Sequence, residues 1–115
     1  MTTVTFHSAQ DRLDGFTVEG HSGYAREGSD IVCAAISACV GMAECTVNEV
    51  LGLAAPVKMR QKDGFLSLKL PGGLGEANEI TCQNLLTGLM VYLQSLSEEY
   101  PDYLAVRLDD DDEEA

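Results

Sequence analysis

A chain of 115 residues, 45% of them apolar, has material for one hydrophobic core and one domain. It holds no unbroken run of about 18 apolar residues, and residues 1–10 lack the basic-then-apolar order of a secretion signal. A cytoplasmic protein with no membrane segment and with reduced cysteines is therefore expected. Nineteen acids against seven bases give a net charge of −12, which disfavours nucleic acid as a partner and suits a basic protein.

The stretch 2–8 sets Val4 and Phe6 against Thr3, Thr5 and His7, the two-residue period of a half-buried strand. Asp14-Gly15 reads as a turn. Residues 16–20 read as a second strand with Phe16 and Val18 on its buried face, which sends His21 to the opposite side. Residues 20–29 contain Gly20, Gly23 and Gly28 with Ser22 and Ser29, the composition of an irregular, opening loop. From Asp30, as N-cap, a nearly all-apolar helix runs towards Gly52, with Pro56 beyond its exit. Strands over 57–61 and 65–70 flank Asp63-Gly64 as a hairpin. A helix over 77–99 spaces Ile80, Leu85, Leu86, Leu89, Leu93 and Leu96 along its inner side. Pro101 stops it, and 103–108 alternates as a last strand. The expected class is α+β, a single domain of order β-β-α-β-β-α-β with a mainly antiparallel sheet and two packed helices. Residues 1–108 form that domain and 109–115 a disordered acidic tail.

Cys33, Cys39 and Cys45 stand six residues apart on one helix, so their side chains diverge by about 120° and rise by about 9 Å per step. They do not converge on one metal, and neighbours do not reach each other as a disulfide. Cys33 differs from the others by position. With Asp30 as cap it is the third helical residue, where unpaired amides and the helix dipole favour negative charge and offer donors to an oxyanion. Cys39 and Cys45 read as inert core residues. A thiolate nucleophile needs a proton partner, and the two histidines are His7 and His21. His21 opens the glycine-rich loop that leads to Cys33, whereas His7, on the first strand, stays open as an alternative. Asp30 either orients His21 or caps the helix. Ser37, one turn after Cys33, shares its face.

The stretch Gly20-His21-Ser22-Gly23-Tyr24-Ala25, with Gly28, Asp30-Ile31-Val32-Cys33-Ala34-Ala35 and Ser37, resembles the signature of the ribosomal-processing cysteine protease family. That resemblance implies an enzyme, a thiol protease and hydrolase that takes part in ribosome biogenesis. It would remove an N-terminal extension from large-subunit ribosomal protein twenty-seven, cutting after a short apolar, aromatic-containing sequence. It implies Cys33 as nucleophile and His21 as base, Gly20, Ser22, Gly23, Tyr24, Gly28 and Ser37 in the loop and substrate site, no cofactor or metal, and a homodimer. Two other readings of the same residues stand beside it. A non-catalytic ribosome-assembly module would bind a basic ribosomal protein through the acidic surface, and a redox-sensing protein would use Cys33 without His21.

Overall fold

The computed structural model describes residues 1–20 and 27–110, with 27–30 described by backbone alone. Its elements are β1 (Thr2–Ala9), β2 (Arg12–Glu19), α1 (Glu27–Cys45, continued by a π-helical turn over Thr46–Val50), β3 (Val57–Arg60), β4 (Phe65–Lys69), α2 (Glu76–Glu99) and β5 (Leu104–Asp110). The five strands form one sheet in the order β3-β4-β2-β1-β5. β1 is parallel to β5, and the other three pairings are antiparallel. The expected class and element order are those observed.

The alternation of β1 decides where everything else lies. Val4 and Phe6 are fully buried, whereas Thr3, Thr5 and His7 face the other side and are half-buried. Phe6 stands opposite Phe16 on β2, and the ring centroids are 6.0 Å apart at 49°. Burying a side chain of this size stabilises by about 1.5–3 kcal/mol. Both helices pack on this face. α1 brings Val32, Ile36, Val40 and Ala43, with Val47 from its π-helical turn, and α2 brings Cys82, Leu86, Leu89, Leu93 and Leu96. Ile80, expected on the inner side of α2, is instead 53% exposed, because the buried stripe begins at Cys82.

The stretch Ile31–Val50 is long and apolar enough, by length and composition, to cross a membrane. In this fold it is the helix that closes the core. The π-helical turn ends it: Leu51 N–H donates to the Thr46 carbonyl at 2.9 Å, and the Asn48 amide brackets Ala55 through bonds of 2.7 and 3.0 Å. Those bonds hold the reversal into β3, where Gly52 and Ala54 both have positive φ.

Three boundaries differ from the sequence reading. The β1–β2 turn falls at Gln10-Asp11, both at positive φ, and not at Asp14-Gly15. Gly15 lies inside β2 beside a register irregularity at His7/Ser8, and its missing side chain serves close approach. A Cβ at Gly15 would stand 2.3 Å from the Leu68 carbonyl oxygen of β4. α1 begins at Glu27, three residues before Asp30. β5 continues through Asp109 and Asp110, which pair with His7 and Ser8, so the first two residues assigned to the tail belong to the sheet. The remainder of that tail lies outside the described residues.

At the end of the sheet that carries the β1–β2 turn, the hairpin is tied to α2. Arg12 donates from Nε to Glu79 Oε2 at 2.6 Å and from Nη2 to the Pro71 carbonyl at 2.8 Å. Gln83 accepts from Leu13 N–H and donates to Leu13 O, each at 2.8 Å. Glu79 raises the Arg12 pKa, first by this hydrogen bond and then by its charge. Gly15→Ala is expected to lower stability by about 1–3 kcal/mol through overpacking between β2 and β4. Gly72→Ala, in open space, should stay within about 0.5 kcal/mol of wild type, and chemical denaturation compares the two.

Candidate active site

The described residues form an apolar groove of about 380 Å³ at the opposite end of the sheet, between α1 and the β3–β4 hairpin. Cys33, Ser37 and Gly41 line one wall, Met59, Phe65 and Leu66 the other, and Val18 and Gly20 close the end near β2. The first wall follows from helical spacing. Cys33, Ser37 and Gly41 repeat every four residues and sit one position after Val32, Ile36 and Val40, about 100° round from the core stripe. A helix packed by that stripe therefore turns a flank of small side chains to the hairpin. A small flank leaves room for a ligand where a large one would fill it.

The other cysteines point elsewhere. Cys39, half-buried, lies on the flank of α1 facing α2, and Cys45 is exposed. The expectation that Cys45 is a core cysteine does not hold, because six residues carry it round to the solvent side. Cys82 of α2 is fully buried, and burial raises its pKa, with Glu79 adding to the effect. All four cysteines carry thiols. Among the described residues no group of three or more His, Cys, Asp or Glu side chains could hold a metal ion.

The earlier start of α1 corrects two expectations. Asp30 is the fourth residue of the helix and not its N-cap, and Cys33 is the seventh residue and not the third. The unpaired amides of a helix are those of its first turn, so the Cys33 amide belongs to the hydrogen-bonded ladder. A helix-start oxyanion site flanking Cys33 is therefore not formed. Gly28 also belongs to the first turn of α1 and not to the loop. His21, Ser22, Gly23 and Tyr24 lie outside the described residues.

The two alternatives for a proton partner meet different geometry. His7 is on the sheet face away from both helices, with Nε2 2.8 Å from Thr17 Oγ1 and Nδ1 3.7 Å from Asp109 Oδ2. The sheet separates it from Cys33. Gly20, next to His21 in sequence, lines the groove with Cys33. Its φ of +83° suits glycine, and a Cβ there would lie 2.8 Å from the Met1 carbonyl oxygen. The chain thus leaves β2 at the groove by a turn that an ordinary side chain would strain. Sequence reading missed the hairpin wall entirely; Met59, an apolar residue between Lys58 and Arg60 that is 64% exposed, was the available signal.

Fold and groove together define a small α+β protein that presents a helix thiol to an apolar cleft. The family model of the cysteine protease Prp matches residues 1–105, and the chain belongs to that family, whose members are cysteine proteases. It is 27% identical over 107 residues to the ribosomal processing cysteine protease Prp of Bacillus subtilis, covering 92% of this chain and 96% of that protein. Among solved structures, SMU.848 of Streptococcus mutans has a TM-score of 0.84 at 22% identity, covering 96% of this chain and 95% of the other. The essential ribosomal processing protease Prp of S. aureus, in complex with a substrate peptide, has a TM-score of 0.77 at 22% identity, with coverage of 96% and 99%. These structural likenesses show the fold.

Gly41→Leu tests the groove. The substitution removes a helix-interior glycine, which favours stability by roughly 0.5–1 kcal/mol, and a Cβ added there would meet nothing within 4 Å. It should raise KM for peptide cleavage several-fold while the thermal midpoint holds or rises. An unchanged KM would show that the substrate does not use this cleft.

Proposed function

We propose that this protein is a cysteine endopeptidase that removes the N-terminal extension of large-subunit ribosomal protein twenty-seven, with Cys33 as nucleophile and His21 as general base. The observation that carries the reading is the shared groove of Cys33 and Gly20, the residue before His21. The chain has two histidines, and His7 sits across the sheet. In this mechanism His21 takes the Cys33 proton as sulfur attacks the scissile carbonyl. The tetrahedral intermediate collapses to a thioester, and His21 returns the proton to the leaving amine. Water, deprotonated by the same imidazole, then releases the acid and restores the thiol.

The substrate is inferred from the family signature and from the Bacillus subtilis relative, named as a ribosomal processing enzyme. An apolar cleft suits an apolar extension, and a net charge of −12 suits a basic ribosomal protein. A cytoplasmic setting agrees with four thiols. The expected dimer has support in an apolar hollow between the helices, where Met42 and Tyr92 are 60% and 54% exposed beside Leu85.

Cys33→Ala and His21→Ala are each expected to abolish cleavage of the ribosomal protein precursor, read by mass spectrometry, with folding intact. His7→Ala should keep it. Turnover by Cys33→Ala, or loss of it in His7→Ala alone, would refute the assignment. Tyr92→Glu should convert a dimer to a monomer by light scattering; a mass unchanged from wild type would remove the hollow as the interface.

A further inference from the structure

We propose that the outer edge of β3 is a substrate-docking strand. An extended segment of the substrate, apolar at alternate positions and free of proline there, adds to the sheet beside Val57 and Met59. The inference rests on the peptidase reading above and adds to it a docking surface for the flank of the substrate, away from the scissile bond.

β3 and β5 are the edge strands of the sheet. Which backbone groups of β3 are free follows from its ladder with β4. Lys69 N–H donates to the Pro56 carbonyl at 3.1 Å, and the register sets Lys58 opposite Ser67 and Arg60 opposite Phe65. Hydrogen-bonded pairs alternate along an antiparallel ladder, so Pro56, Lys58 and Arg60 turn their backbone groups towards β4. Val57 and Met59 turn theirs outwards. Each presents an N–H and a C=O to the free edge, in the pattern that a further extended chain completes.

The side chains set this edge beside the groove. Val18, Leu66 and Met59 stand in one row across β2, β4 and β3, and all three line the groove. Val18 is buried at the inner end of the row, and Met59 is largely exposed at the outer end. One more strand in the plane would lay an apolar side chain against Met59 and continue the row. The edge of β5 lies beyond β1 and contributes no residue to the groove. Cys33 stands above the sheet on α1, whereas the β3 edge lies in its plane, so the docked residues flank those at the thiol. A second copy of the chain does not suit this edge. Two β3 edges paired about a two-fold axis through both Val57 and Met59 would set the two Lys58 side chains directly opposite each other, and like charges so placed are unfavourable. A substrate segment brings its own side chains and meets no such penalty.

The test uses a synthetic peptide spanning the N-terminal extension and the residues after the scissile bond, bound to the Cys33→Ala protein. Amide exchange read by NMR should slow about tenfold or more at Val57 and Met59 on saturation, whereas Lys58 and Arg60, already bonded to β4, should change little. Peptides N-methylated at one residue at a time should lose about three- to tenfold in affinity at two positions two residues apart and little at the residue between them, because each methyl group removes one donor. Met59→Pro, which removes an outward N–H, should weaken binding beyond Met59→Ala, which keeps it. The methylated peptides, read on a protein with an unaltered edge, guard against misfolding of the proline variant. Unchanged exchange at Val57 and Met59, N-methyl losses without the two-residue period, or failure of the peptide to bind overturns the docking edge and leaves the peptidase reading to the cleavage assay. The alternating pattern with no cleavage by the wild type supports the edge and counts against the peptidase reading alone.

Discussion

The helices cover one face of the sheet and leave the other bare, and that constraint governs the rest of the molecule. Phe6 and Phe16 meet on the covered face, fully buried and directly opposed across β1 and β2. Both helices must supply apolar stripes to cover them. α1 and its π-helical turn use Val32, Ile36, Val40, Ala43 and Val47 for this, and that choice fixes the rotation of the helix about its own axis. Once the rotation is fixed, Cys33, Ser37 and Gly41 face the hairpin and Cys39 faces α2. The position of the thiol is thus a consequence of core packing, with no separate device needed to aim it.

The two ends of the sheet are built for different purposes. At one end Arg12, Glu79 and Gln83 lock the β1–β2 hairpin to α2 through charge-assisted and paired amide bonds. At the other, the groove is walled largely by apolar and small side chains, and the backbone passes it through a left-handed glycine at Gly20. The polar sheet face behind carries His7, with Thr17 and Asp109 beside its ring.

Strong periodicity made most elements legible in the sequence. The alternation around Val4 and Phe6, the leucine spacing of α2 and the Asp63-Gly64 hairpin signal all correspond to observed structure. The errors arose where glycine or aspartate served a purpose other than the commonest one. Asp14-Gly15 resembled a turn, but Gly15 answers to the Leu68 carbonyl of β4, a strand far away along the chain that no local pattern reveals. Asp30 resembled a cap, but the helix begins earlier, at Glu27, and Cys33 thereby loses the first-turn position that would have stabilised a thiolate. Cys33 itself was singled out by position and family signature. The hairpin wall was not, because a groove is a tertiary object and its far side shares no sequence neighbourhood with its near side.

α1 carries three surfaces at once, a core stripe, a groove flank and a flank towards α2. One residue inserted or deleted between Val32 and Val47 would rotate everything beyond it by about 100°, exchanging core for groove and groove for solvent. Substitution can therefore tune this helix, but changes of length cannot be absorbed in it. Relatives that differ in length should carry their extra residues in connections such as the one around Gly72, where an added side chain would meet nothing within 4 Å.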